Sequence, residues 1–366
     1  MELRMASFDF ESIPVSQAAN YNAAVDSLNF QTAGASGAMV TVSYLAPDQV
    51  GVTLGGQTIT FGAGLMGGAA TFADGSHLFV GGPGGDAATG TALGDGLFGG
   101  LGDDTLAGGE GNNLLQGNQG ADMLSGGSGN DTIYGGRDND NIDVGLGVNF
   151  GQGNMGNDTV SAALGSGPNT LLGGQGNDVV VGAGDNDFLN GNLGDDSVSG
   201  GAGNDVLRGE DGADTLDGGL GADTMNGGAG PDRFIFGPGS SDVTLQGADR
   251  IEGWSTEDVI DIPGVAAGLY MIPVSYDYDG GGYGGYGGYG GMGGMGGMGA
   301  TVMPITFDAA LAQANAWFRN YPNWIVTAQV DEGVAVFVDS NGDRVADLSF
   351  ILVGANISDV TGFAFA

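Results

Sequence analysis

A register of nine residues governs the middle of this chain. From Gly81 it reads GGPGGDAAT, GTALGDGLF, GGLGDDTLA, GGEGNNLLQ, GNQGADMLS, GGSGNDTIY, GGRDNDNID, VGLGVNFGQ and GNMGNDTVS. Ala162 and Ala163 interrupt it. From Leu164 it resumes through LGSGPNTLL, GGQGNDVVV, GAGDNDFLN, GNLGDDSVS, GGAGNDVLR, GEDGADTLD, GGLGADTMN and GGAGPDRFI. Of these 17 units, 14 carry Asp at position six and three carry Asn, and position eight is apolar in all but one, where Gly151 stands. Disordered sequence does not keep register over such a length, so the period is architecture.

The residue types say what kind. Glycine at positions one, two and four permits tight turns with positive φ and leaves bare backbone carbonyls. Three residues of strand follow, with the position-eight side chain turned inward. Two units make one coil of 18 residues, so successive units lie on opposite sides of a flattened roll. Position-six carboxylates then recur one coil apart, at roughly 4.8 Å. Two charges that close repel by about 1 kcal/mol in water and about 3.5 kcal/mol at an effective dielectric near 20. Nine Asp–Asp pairs stand 18 residues apart, and their sum rivals the roughly 5–15 kcal/mol that holds an ordinary domain together. A cation must neutralise them, and a metal-free roll should be loose or unfolded.

The units resemble the RTX family, whose consensus is G-G-x-G-x-D-x-U-x with U a large apolar residue. The resemblance implies an all-β fold: a calcium-binding parallel β-roll (solenoid) with small β-rich N- and C-terminal caps. It also implies the ligands, namely the position-six carboxylates with main-chain carbonyls of positions one to four in adjoining turns. Those carboxylates fall into two rows. One holds Asp86, Asp104, Asp122, Asp140, Asp158, Asp178, Asp196, Asp214 and Asp232. The other holds Asp95, Asp131, Asp187, Asp205 and Asp223 together with Asn113, Asn149 and Asn169. The asparagine row is expected to bind calcium more weakly.

Composition narrows the function. The 366 residues contain 79 glycines, 44 acids, seven arginines, no lysine, no cysteine and the single His77, for a net charge of −37. Disulfides, thiol nucleophiles, thiolate zinc sites and lysine Schiff bases are excluded. No basic patch for nucleic acid can form. His77 reads as a packed or surface residue of a strand rather than a metal ligand. No 18-residue apolar run suggests a membrane span, and the first twenty residues do not read as a cleavable signal peptide.

The expected organisation is an N-terminal β-rich cap over 1–80, the roll over 81–235 and a C-terminal cap over 236–366. In the first, Ser16 is expected to cap a helix through Leu28, and AMVTVSYL, VGVTL, QTITF and HLFV read as strands. In the last, residues 227–262 and 330–366 resemble the segments that close the roll in serralysin-type metalloproteases. A helix is expected over Ala309–Arg319, and Asn341-Gly342 marks a hairpin. Asp339, Asn341, Asp343 and Asp347 open like a calcium loop, but Arg344 and Phe350 break its pattern, and a solvated turn is the better reading. Residues 280–299, GGGYGGYGGYGGMGGMGGMG, space three tyrosines and three methionines by three, which suits a flexible loop or a polyproline-II face. The ending, Asp359-Val360-Thr361 then Phe363-Ala-Phe365-Ala366, resembles the uncleaved signals of type I secretion.

The protease is missing, because one histidine cannot make H-E-x-x-H. A carboxylate-pair hydrolase is the remaining enzymatic reading, and acids this numerous do not single out a pair. The chain is therefore expected not to be an enzyme. It is expected to be a secreted, calcium-folded element at the surface of a Gram-negative bacterium, assembling as a layer, filament or matrix. The alternative is a soluble effector acting on host membranes or receptors. Expected partners are further copies of the chain, the type I secretion machinery and a cell-surface polysaccharide.

Overall fold

The computed structural model describes residues 7–13, 15–18, 27–32, 35–46, 49–62, 65–162, 167–237, 239–241, 244, 246–263, 271–274, 306–319, 325–330, 332–339 and 345–355. The tract 280–299, the residues Asn341, Gly342 and Asp343, and the ending 359–366 lie outside them.

The repeat forms stacked parallel coils. Six-residue strands such as Gly96–Leu101 and Thr105–Glu110 each join positions seven to nine of one unit to positions one to three of the next. Units alternate between two sheets, and within a sheet the register advances by 18, as in Leu106↔Leu124 and Leu115↔Ile133. Across the interruption at Ala162 the step becomes 20, as in Gly151↔Leu171 and Val160↔Val180. The position-eight side chains point between the sheets and stack into a single column: Leu106, Leu115, Leu124, Ile133, Ile142, Val160 and their successors to Phe234 are at most 2% exposed. The sheet alternation sends positions seven and nine outward, which is why one apolar residue in nine suffices.

Gly151 is the one gap in that column, and its own unit fills it. Val144 replaces the usual glycine at position one and is fully buried. A Cβ added to Gly151 would stand 2.6 Å from Val144 Cγ1. The valine occupies the space that a position-eight side chain would have taken.

The coiling continues past Ile235. Thr224 pairs with Arg250 and Arg233 with Val259, a step of 26 residues. An eight-residue insertion thus precedes two further units, TLQGADRIE (244–252) and GWSTEDVID (253–261), which place Ile251 and Ile260 in the buried column.

The flanks extend one sheet at both ends. At the N-terminal side His77–Val80 lies parallel to Gly96–Leu101, and Gly68–Phe72, Ser27–Phe30 and Ser7–Asp9 follow outward. Phe10, Phe30, Phe61 and Phe72 form the core there, with Phe30 and Phe72 stacked at 4.1 Å. A separate antiparallel sheet of Thr41–Ala46, Gln49–Leu54 and Gln57–Gly62 packs on it. The helix expected from Ser16 does not reach Leu28. Helix is described only over Val15–Ala18, and Ser27–Phe30 is a strand. Leu28 and Phe30 are both buried, an alternation that a strand edge satisfies.

At the C-terminal side Asp249–Glu252 pairs with Leu348–Val353, which pairs with Gly333–Val338, and that strand pairs with Ile325–Val330. The helix runs over Phe307–Phe318, capped by Thr306 Oγ1 accepting the Ala309 N–H. It packs Phe307, Ala310, Ala314 and Phe318 onto Val326, Ala328 and Phe337. Asp339 is buried at the end of its strand rather than solvated. The molecule is thus an all-β parallel roll with β-rich caps, and the caps cover both edges of one of its two sheets.

Candidate calcium sites

Each position-six side chain spans two coils. Its Oδ1 accepts the backbone N–H of the position-six residue one coil earlier. In the first row Asp104, Asp122, Asp140, Asp158, Asp178, Asp196, Asp214 and Asp232 accept from Asp86, Asp104, Asp122, Asp140, Asp158, Asp178, Asp196 and Asp214 at 2.7–3.0 Å. The second row starts from the His77 N–H donating to Asp95 at 2.5 Å, then runs Asn113, Asp131, Asn149, Asn169, Asp187, Asp205 and Asp223. His77 therefore stands in the position-six register but supplies only its backbone.

The second carboxylate oxygen is the informative one. Oδ2 of Asp104, Asp122, Asp131, Asp140, Asp158, Asp178, Asp196, Asp205, Asp214 and Asp223 is buried with no hydrogen-bond partner among the described residues. An ionised oxygen left that way costs several kcal/mol unless something meets it. The surroundings show what would. Oδ2 lies against the position-one glycine of its own unit, so closely that a Cβ on Gly99, Gly117 or Gly135 would collide with it. Position one is also the residue of each long strand absent from the paired register, as Gly99 and Gly117 are between Phe98↔Gln116 and Gly100↔Asn118. The carbonyl of the next coil's position one faces the same space: the built Cβ of Gly99 would lie 2.8 Å from the Gly117 oxygen, and that of Gly117 2.7 Å from the Gly135 oxygen. Carboxylate and carbonyl oxygens converge where only glycine leaves room, which is the donor set of a hard cation. Among the described residues no three acidic or histidine side chains gather at one point, so main-chain oxygens must complete each shell.

Burial raises these carboxyls. Asp140 is pushed up to about 8, Asp122, Asp178 and Asp205 to about 7, and Asp104, Asp158, Asp196, Asp214, Asp223 and Asp232 to about 6. Desolvation is the largest cause, the ladder N–H opposes it, and in most of them a neighbouring carboxylate adds to it. Asp131 and Asp187 are raised as well, but there the side chains of Asn113 and Asn169 help hold the charge.

The asparagines close their own sites. With Oδ1 in the ladder, the remaining group is an NH2. Asn113 Nδ2 donates to the carbonyls of Gly111 at 3.2 Å, Glu110 at 3.4 Å and Gly126 at 3.5 Å. Gly126 is the next coil's position one, so the amide nitrogen takes the place a cation would hold. Asn149 Nδ2 bonds the Gly145 carbonyl and Asn169 Nδ2 bonds Asp187 Oδ1.

Asp86, Asp95 and Asp187 differ from the other members. Gly82 N–H meets Asp86 Oδ2 at 2.6 Å, Thr91 N–H meets Asp95 Oδ2 at 2.5 Å and Ala183 N–H meets Asp187 Oδ2 at 3.3 Å. Two ladder members were not singled out from sequence: Asp249 accepts from Asp223 at 2.9 Å, and Asp258 accepts from Asp232 at 3.0 Å. Their signal was D-x-I at a spacing of nine, displaced by the insertion. A second, exposed ladder at position five also went unread. There Asn112, Asn130, Asn139, Asn157, Asn177, Asn186, Asp195 and Asn204 accept from the following coil, opposite in direction to position six.

The model of the RTX calcium-binding nonapeptide repeat matches residues 80–115, 98–132, 116–151, 164–198 and 199–234. The roll is an array of RTX calcium-binding repeats. Calcium is therefore the cofactor, and the chemistry it supplies when bound is charge neutralisation between coils. Among solved structures, the AlgE6R3 subunit of the Azotobacter vinelandii mannuronan C5-epimerase is similar, at 25% identity over 48% of this chain and 74% of that chain, with a TM-score of 0.28. No curated protein matches. No helix among the described residues is long and apolar enough to cross a membrane.

Proposed function

We propose that this RTX protein is exported unfolded, folds on extracellular calcium and is itself the product, assembling with further copies as a layer, filament or matrix at the surface of a Gram-negative cell. The carrying observation is the buried row of Oδ2 atoms without partners, which ties folding to calcium supply. The ligands are the position-six carboxylates with unpartnered Oδ2, each joined by the position-one carbonyl of the next coil. Residues 1–80 and 236–366 act as caps, the latter after adding the two units 244–261 to the roll, and the ending 359–366 is the export signal. The assembly reading is supported by the second sheet, whose outer strands Ala87–Thr89 and Val259–Asp261 pair on one side only among the described residues. Such edges accept a further strand.

A polysaccharide partner is supported by the outer face of the other sheet. A groove of about 590 Å³ runs there across the coils, lined by Gln116, Asn118, Tyr134, Arg137, Gln152 and Asn154 among others. Its amides and tyrosine suit hydroxyl-rich ligands. Arg137 forms no ion pair with any described residue, whereas Arg208 and Arg233 do, so an acidic sugar fits best.

Size-exclusion chromatography with and without millimolar calcium tests the proposal. A folded monomer in calcium at high concentration overturns the assembly reading.

A further inference from the structure

The 26-residue coil carries a carboxylate that the repeat pattern does not cover. Asp249 is 1% exposed, and its Oδ2 has no hydrogen-bond partner among the described residues. Its Oδ1 holds the Asp223 N–H at 2.9 Å, so it faces the next coil as the repeat carboxylates do. The Asp223 and Asp217 carboxylates add their negative field. Asp258, nine residues on, is placed otherwise: the Ser255 N–H occupies its Oδ2 at 2.7 Å.

We propose that Asp249 supplies a calcium site beyond the nonapeptide array, at the joint between roll and C-terminal strands, and that Asp258 supplies none. A buried, unmet carboxylate oxygen calls for a hard cation, and calcium suits a buried oxygen cage better than magnesium, which dehydrates reluctantly. A carboxylate already met by its own backbone N–H lacks that need. The position gives the site a consequence. Ser241 Oγ accepts the Asp249 N–H at 2.7 Å and donates to the Ser349 carbonyl. Asp249 itself pairs with Phe350. The ion would therefore fix the strand on which the C-terminal sheet is docked.

The inference rests on the calcium reading above, and the experiment separates the two. The full chain, D249N and D258N are titrated with calcium, and ions per chain are counted by equilibrium dialysis. Asn keeps Oδ1 for the ladder and removes only the second oxygen. D249N is expected to bind one ion fewer than the parent, and D258N the same number. An unchanged count in D249N, or an equal loss in D258N, overturns the site. A parent chain that binds no calcium overturns the calcium reading itself. Should D249N fail to fold, crystals of the parent grown in calcium decide. An anomalous peak bonded to Asp249 Oδ2 is expected, and its absence while peaks stand at Asp122 and Asp140 overturns the site.

Discussion

The two rows of the roll share backbone, register and core, yet they solve the same charge problem differently. The first is carboxylate throughout from Asp86 to Asp232, and among the described residues nothing meets the second oxygen of its interior members from Asp104 to Asp214. The second inserts Asn113, Asn149 and Asn169, whose amides bond the carbonyls that would otherwise face a cation or, at Asn169, the neighbouring carboxylate of Asp187. One row leaves its second oxygens unmet, and the other is partly self-closing. The lesson is that position six has two stable fillings, an anion with a cation or an amide without one.

Removing calcium is the largest perturbation, and it should fall on both rows. In chelator near pH 8 the far-ultraviolet circular dichroism should lose most of its strand signal and regain it cooperatively in millimolar calcium. A roll equally folded in chelator would sink the argument from buried carboxylates.

Acid should act next most strongly, and mainly on the first row. These carboxyls have folded-state values of about 6 to 8, above an unfolded value near 3.9. The metal-free fold then binds more protons than the unfolded chain, so its stability is greatest below about pH 4 and is lost as pH rises through 6 to 8. Chelated protein should regain strand as pH falls from 8 toward 5, with Asp140 protonating early. If chelated protein instead unfolds further in that range, the shifts have the wrong sign.

Much of this was open to a reader of the sequence alone. The roll, its two-unit coil and the two rows follow from glycine, aspartate and one apolar residue recurring at fixed offsets, because each offset has a single physical use. What escaped depended on compensation between positions. Gly151 breaks the apolar rule at position eight, and only its contact with Val144 accounts for it. Asp249 and Asp258 lay behind an insertion that shifts the nine-residue count without breaking the stacking. The helix expected up to Leu28 failed because Leu28 and Phe30 are both needed in the core as strand residues. Position five carries no constraint in the repeat consensus, yet its amides form a second ladder along the rim.

Val144 offers a smaller test within the second row. Val144→Ala removes two methyl groups from a site that Gly151 cannot fill, and should cost about 2 kcal/mol in calcium-saturated protein. The comparable surface change Val206→Ala, on a residue 36% exposed, should cost well under 1 kcal/mol. Urea titration of both in excess calcium checks it, and equal losses would mean the valine does not plug the column.

The finest distinction concerns why the asparagines sit where they do. Among the 17 regular units the two non-glycine residues at position one, Val144 and Leu164, belong to units with Asn149 and Asn169 at position six. In the regular, evenly stacked units a Cβ at position one takes the space that Oδ2 would need, whereas the Asn113 unit keeps Gly108. Asn113→Asp should therefore create a working site. It should add one calcium per chain, and it should destabilise the metal-free roll by about 1 kcal/mol through repulsion with Asp95 and Asp131 one coil away. Asn149→Asp should add no ion, because Val144 stands in the cradle, while its charge still weakens the metal-free state. Calcium counts for the two variants decide the point. An extra ion in both would show that position one does not gate the site, and an extra ion in neither would show that the second row is closed by something other than its amides.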